Sequence, residues 1–260
     1  MVNLLGWVKR HQESAVSNPP RRRIDLGSEQ PSYPIYAIGD VHGCLNELGE
    51  AELRIARDTR RTERPGLVVL LGDYVDRGPS SAQVIEHLIK PSTIGLRRLA
   101  LCGNHDDVFA KFVAAPEQYM EWLELGGRQT LASYGLDPHK LDFSRKGRDG
   151  LKQALAKAIP ARHLTYLSNL PICLKVADML FVHAGLRPKI PLDKQVDEDL
   201  MWIREPFLSM GWGGPGIVVH GHTPQPTPDV GMGRIGIDTG AFYSGKLTVL
   251  KIDGKDKAFI

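Results

Sequence analysis

Residues 67–78 read Leu-Val-Val-Leu-Leu-Gly-Asp-Tyr-Val-Asp-Arg-Gly. The first five form a short, continuous apolar run bounded by glycine, the pattern of a strand buried on both faces. Two carboxylates, Asp73 and Asp76, and one guanidinium, Arg77, follow at its tip. Charges beside a core are costly unless they are partnered, so this arrangement implies a metal ion, a phosphate or both. A chain built around it needs a parallel, helix-covered sheet and a ligand at the carboxyl ends of the strands.

The same grammar recurs along the chain. A short strand at 35–38 ends in Gly39-Asp40-Val41-His42-Gly43, and Leu45, Leu48, Ala51 and Ile55 then recur at helical spacing. After the strand at 67–71, Ser80 or Ser81 can cap a helix whose apolar face is Val84, Ile85, Leu88 and Ile89. A third strand at 99–102 is tipped by Gly103-Asn104-His105-Asp106, and a helix follows. Three strand–polar tip–helix units predict an α/β core with parallel strands and crossover helices. Residues 114–160 read as a helical insertion that walls a cleft and carries no evident chemistry. Strands then return, at 178–182 before His183, at 216–219 before His220-Gly221-His222, at 234–237 before Asp238 and at 246–252 as an edge strand. These predict a second sheet packed on the first, an α+β sandwich of two mixed sheets flanked by helices.

Composition narrows the class. The 260 residues suffice for one large domain, and a net charge of +3 is too mild to argue for a nucleic-acid or membrane partner. Three scattered cysteines fit a reducing cytoplasm and argue against a disulfide framework or a structural zinc knuckle. No run reaches the ~18 apolar residues of a membrane span. Residues 1–30, polar and carrying Arg21-Arg22-Arg23, read as a flexible basic tail outside a catalytic domain at 31–260. His11, His87, His139 and His163 read as surface residues.

Carboxylates, imidazoles and one amide at the tips (Asp40, His42, Asp73, Asn104, His183 and His222) make a mixed oxygen and nitrogen set. It suits divalent Mn, Fe, Zn, Co or Ni. Two such ions ~3.5–4 Å apart can clamp a phosphate for in-line displacement. His220, two residues before His222, would point the same way from an extended strand and is expected beside the ligand set, as support or as a cleft residue.

Taken in order, the segments 39–43, 72–78, 103–106, 183–185 and 221–223 resemble the phosphoprotein phosphatase family of calcineurin-like metallophosphoesterases. The resemblance runs over 35–252 and is closest to the bacterial-like branch, through residues 122–134 and 200–205. It implies a hydrolase in which a metal-bridging hydroxide attacks in line. Asp40, His42 and Asp73 would hold one metal, and Asp73, Asn104, His183 and His222 the second, with manganese the expected ion. His105 would protonate the leaving oxygen, oriented by Asp76. Arg77 and Arg204, with Asn104, would bind the phosphate. Asp106 stands where eukaryotic relatives usually carry Glu, and so is expected to alter the support behind Asn104 and His105. The implied substrate is a phosphorylated Ser, Thr or possible Tyr side chain in a protein or peptide. A small phosphoester, symmetrical dinucleoside tetraphosphate in particular, is the alternative, and an inactive phosphoprotein-binding scaffold is the reading from another class.

Overall fold

The computed structural model describes residues 19–144 and 147–260. Strand β1 is Arg23–Asp25, β2 Ile35–Ile38, β3 Leu67–Leu70 and β4 Arg97–Ala100. The first three helices are α1 (Leu45–Thr62), α2 (Ser81–Ile89) and α3 (Asn104–Ala114). Strands β2, β3 and β4 run parallel in register, so Asp40, Asp73 and Asn104 leave the same edge of one sheet. Two more strands complete that sheet in the order β11-β10-β2-β3-β4, with β10 at Val249–Asp253 and β11 at Asp256–Phe259. The segment expected as an edge strand at 246–252 is therefore interior: β10 lies between β11 and β2, and β11 is the edge. The alternation that suggested an edge arises instead because one face of β10 packs into the intersheet core.

The second sheet has the order β1-β5-β6-β7-β9-β8. Its strands are β5 (Cys173–Val176), β6 (Met179–Val182), β7 (Ile217–His220), β8 (Asp229–Gly231) and β9 (Arg234–Gly236). Here β6, β7 and β9 are parallel, which sends His183, His222 and Asp238 from one edge. Period-2 alternation joins the sheets: Ile35, Ala37, Val69, Leu71, Phe181, Val219 and Ile252 form one buried cluster. Intervening residues such as Tyr36, Ile38, Val68 and Leu70 face outward and pack with Leu48, Ile55, Val84 and Phe109 from the helices.

Residues 21–25 depart from the expected tail. Strand β1 pairs with β5, and two of the three arginines, Arg21 and Arg23, find acidic partners inside the fold. Arg21 reaches Asp107 at 2.9 Å and the Leu167 and Leu170 carbonyls, and Arg23 reaches Asp197. Three residues are too few for a legible period, and a charge run says nothing of internal partners. Residues 1–18, His11 among them, lie outside the described residues. His163, expected at the surface, is buried between the Tyr134 hydroxyl at 2.8 Å and Glu86 at 3.0 Å. His87 pairs with Glu52. Helix α4 (Gly127–Ser133) and α5 (Arg148–Ala158) lie in the segment read as an insertion, and α6 (Ala161–Asn169) follows. No helix among the described residues is long and apolar enough to cross a membrane.

A buried charge cluster fastens α1 to the first sheet. Asp58 accepts from the Tyr36 hydroxyl at 2.7 Å and lies 2.5 Å from the Lys251 ammonium and 2.6 Å from Arg61. Burial raises its carboxyl pKa, but the Lys251, Tyr36 and Arg61 contacts outweigh that and bring it down to about 2. A depressed folded-state pKa means stability that is present above the ordinary value of ~4 and lost as pH falls toward the folded value. Urea unfolding between pH 6 and 2 should show the gap between wild type and Asp58→Asn shrinking below about pH 4. A gap constant across that window would contradict the assignment.

Candidate active site and metal centre

Backbone geometry puts the side chains in place. His42, Asp73, Asp76, Arg77 and His222 all have positive φ (43°, 53°, 73°, 67° and 65°) without being glycine. Such strain clusters where loops are over-determined by their surroundings, and here the strands' tips are laced together. The Asp73 carbonyl accepts from the His42 amide at 2.7 Å, Tyr74 O from Gly43 at 2.9 Å, and His42 O from Gly78 at 3.0 Å. Two glycines allow the tips of β3 and β4 to touch, since a Cβ on Gly103 would strike Asp73 Oδ1 at 2.1 Å and one on Gly72 would strike Gly103 N at 2.5 Å.

Asp73 sits at the centre. With His42 and His105 it forms one group of potential ligand atoms within 4.8 Å of one another, and with His183 and His222 a second. His183 Nδ1 lies 3.0 Å from the Leu71 carbonyl, which can only accept, so the ring proton is on Nδ1. Its Nε2 lone pair then faces Asn104 Oδ1 at 2.8 Å and Asp73 Oδ2 at 3.4 Å. The same Asn104 oxygen lies 3.0 Å from His222 Nδ1. His42 is fixed likewise, with Nδ1 on the Val75 carbonyl at 2.8 Å and Nε2 3.4 Å from Asp73 Oδ2. Burial pushes His42, His183 and His222 below the usual imidazole range, toward the neutral form that binds metals.

Asp40 lies on the other side, accepting the His222 amide at 3.0 Å. Its pKa is raised by burial first and then by Asp238 and Asp73, and Asp238 is pushed up to about 6 by burial and Asp73. Buried carboxylates that repel one another, facing imidazole and amide lone pairs, are a donor set short of cations. His222 Nε2 is buried with no hydrogen-bond partner among the described residues. The set fits divalent ions, and thiolates are absent from it. The proximity groups differ from the sequence-derived assignment in one respect: His105, expected as the acid, is grouped with His42 and Asp73, whereas Asp40 is not.

His105 is held by Asp76, whose Oδ2 is 2.6 Å from Nδ1. Asp76 is fully buried and also accepts from Trp122 Nε1 at 2.8 Å and Thr130 Oγ1 at 2.7 Å. Its amide donates to Thr130 Oγ1 and Ser81 Oγ. Ser81 thus serves the site, and Ser80 caps α2 without a side-chain bond. The insertion is therefore not chemically silent. A lone Trp and Thr in a loop-rich helical stretch carry no sequence signal of this role. Trp122→Phe keeps the packing and removes one donor to a buried carboxylate, so it should cost about 1–3 kcal/mol in urea unfolding. A cost below about 0.5 kcal/mol would mean that the bond is dispensable.

Arg77 spans the front of the site. Nη1 donates to His42 Nε2 at 2.7 Å and Nη2 to His105 Nε2 at 3.1 Å. Arg204 is exposed along part of its side chain, but desolvation of its guanidinium and then the like charge of Arg77 lower its pKa, so two guanidinium groups share a region that an anion would relieve. Asp106 accepts the amides of Asp73 and Tyr74, both at 2.8 Å, and of Gly103 at 3.0 Å. The short carboxylate thus ties the β3 tip to the start of α3. His220 parts from His222. The strand β7 ends at His220 and His222 is left-handed, so their side chains do not share a direction. The His220 ring packs edge-on against Phe207 at 5.1 Å, with its pKa lowered by burial to about 4.

Asp238 and Phe242 complete the surroundings. The first follows β9 by the same strand-tip grammar as the ligands. The Phe242 ring lies 5.7 Å from His42, and nothing in the spacing marks it.

Comparison with known proteins gives the family and its relatives. The family model for calcineurin-like phosphoesterases matches residues 33–243. Bis(5'-nucleosyl)-tetraphosphatase PrpE [asymmetrical] of Oceanobacillus iheyensis is 28% identical over 242 residues, 84% of this chain and 88% of the relative. Serine/threonine-protein phosphatase 1 of Salmonella typhimurium is 28% identical over 222 residues, 84% and 91% of the two chains. A solved structure provisionally named a diadenosine tetraphosphatase superposes with a TM-score of 0.62 at 23% identity, covering 92% of this chain and 97% of its own. Cold-active protein-tyrosine phosphatase of a psychrophilic Shewanella superposes at 0.55 with 14% identity, covering 92% and 80%. The chain belongs to the calcineurin-like phosphoesterase family.

Proposed function

We propose that this protein is a dinuclear metal-dependent phosphomonoesterase whose substrate is a phosphorylated Ser, Thr or Tyr side chain of a protein or peptide. The observation that supports it most is the pairing of His105 with buried Asp76 directly behind Arg77. Asp40, His42 and Asp73 would hold one ion, and Asp73, Asn104, His183 and His222 the other, with manganese first among the ions such a set accommodates. Bound ions neutralise phosphate charge and lower the pKa of a water at neutral pH.

The chain's own groups do the rest. Arg77 and Arg204 grip phosphate oxygens, where planar guanidinium groups offset charge in a bidentate manner. Asp76 fixes the His105 ring with Nε2 on the Arg77 side, and its charge offsets the positive charge the ring carries when Nε2 is protonated. Nε2 carries that proton once Arg77 has turned from the ring to the phosphate, and passes it to the leaving oxygen. An inert scaffold would have no use for the acid and its orienting carboxylate. Three buried, unpaired thiols support a reducing compartment, the cytoplasm.

A second reading, hydrolysis of a dinucleoside tetraphosphate, is favoured by the PrpE relative. That relative's name specifies asymmetrical cleavage, where the sequence had suggested a symmetrical alternative. A panel of phosphoserine, phosphothreonine and phosphotyrosine peptides and diadenosine tetraphosphate, assayed with Mn²⁺, separates the two. The proposal expects the highest kcat/KM on a phosphopeptide. Hydrolysis of diadenosine tetraphosphate alone would overturn it, and the products, two ADP or AMP with ATP, would then give the mode of cleavage.

A further inference from the structure

Helix α7 (Ala241–Ser244) sits between two left-handed glycines, Gly240 and Gly245. Gly240 N donates to Asp238 Oδ1 at 2.9 Å, and the Ser244 hydroxyl donates to the Thr239 carbonyl at 2.7 Å, so this short turn is tied to the site's own carboxylate loop. It holds two large aromatic side chains toward solvent, Phe242 at 39% exposure and Tyr243 at 61%. Their rings meet edge to face at 4.9 Å. Arg77 Cζ lies 5.0 Å from the Phe242 centroid, and the same guanidinium donates to His105 Nε2. A Cβ on Gly240 would strike the Tyr243 ring at 2.1 Å, so glycine there lets the ring fold back over the turn.

Exposed aromatic surface normally costs solvation, and two such rings in contact beside a reactive centre point to a ligand with a flat apolar face. The candidate acid, the phosphate-gripping arginine and Phe242 are consecutive neighbours, so the rings flank the side from which a leaving group departs. We infer that Phe242 and Tyr243 form a shelf for an aromatic ring bonded directly to the ester oxygen, making aryl phosphates such as phosphotyrosine the preferred substrate class. This rests on the phosphoesterase reading above. The spacing selects among leaving groups. A seryl or threonyl chain offers no face to stack, and a nucleobase is separated from its phosphate by a ribose. Stacking of one ring is worth about 3–10-fold in affinity.

Binding of non-hydrolysable phosphonates tests the shelf without turnover. With Mn²⁺-loaded protein in a calorimeter, phenylphosphonate should bind ~3–10-fold tighter than methylphosphonate. Phe242→Ala and Tyr243→Ala should each reduce that ratio, and Phe242→Trp should keep it. Equal binding of the two phosphonates to wild type, or a ratio unmoved by both alanine variants, would overturn the shelf. In turnover assays the phosphotyrosine-to-phosphoserine ratio of kcat/KM should fall with the same variants. If only diadenosine tetraphosphate hydrolysis depends on Tyr243, the shelf takes a nucleobase and the aryl assignment is wrong. A wild type that binds phenylphosphonate selectively but hydrolyses nothing would refute the phosphoesterase reading and leave the shelf standing.

Discussion

Replacing Asp73 by Asn should reduce phosphate release by ~10³-fold or more, since it removes a charge shared by both groups of ligands and several kcal/mol of transition-state stabilisation. The Asn variant is the informative one because it spares the fold. Asp73 Oδ1 accepts the His105 amide at 3.0 Å, a bond that an amide oxygen can keep. Asp73 faces Asp40 and Asp238 across a buried site, but the surrounding His183, His105, His42 and His222 hold its own carboxyl below the usual range, so in the metal-free protein the repulsion that Asn relieves is offset by the attraction it removes. Without metal, the variant should melt close to the wild-type temperature. With Mn²⁺, wild type should gain stability by mass action, and Asp73→Asn should gain little. Activity loss accompanied by a collapse of metal-free stability would instead mark Asp73 as a structural residue.

His105→Ala should lower kcat by ~10²–10⁴-fold. The size of the effect should depend on the leaving group. A p-nitrophenolate ion leaves without a proton, whereas a seryl alkoxide does not, so the variant should lose far more on a phosphoserine peptide than on p-nitrophenyl phosphate. Metal content decides between the two roles open to this ring, which groups with His42 and Asp73 yet hydrogen bonds to Asp76. An acid can be deleted with two ions retained. Loss of one ion from His105→Ala would make the residue a ligand and require another acid.

The site was legible where its chemistry sits on strand tips. Asp40, Asp73, Asn104, His183 and His222 each follow a short apolar run, and the parallel order of β2, β3, β4 and of β6, β7 brings those tips to one edge. What supports them was hidden. Trp122 and Thr130 reach Asp76 from 46 and 54 residues away, and no local pattern encodes a partner so distant. Strand β1 is three residues of mixed burial, below the length at which period 2 is visible. The direction of His220 was misjudged because strand parity stops at His222, where φ turns positive. His163 reads as a surface residue on a polar helix, and only the tertiary pairing with Glu86 and Tyr134 accounts for its burial.

The central claim is that Asp73 joins two cation sites whose occupation makes the protein a phosphoesterase. Stripping the protein with a chelator and titrating Mn²⁺ while following bound metal and phosphate release tests both halves at once. The structure predicts no hydrolysis before metal is added, and activity rising until two equivalents are bound. Full activity in the stripped protein, or saturation of activity at a single equivalent, would contradict it.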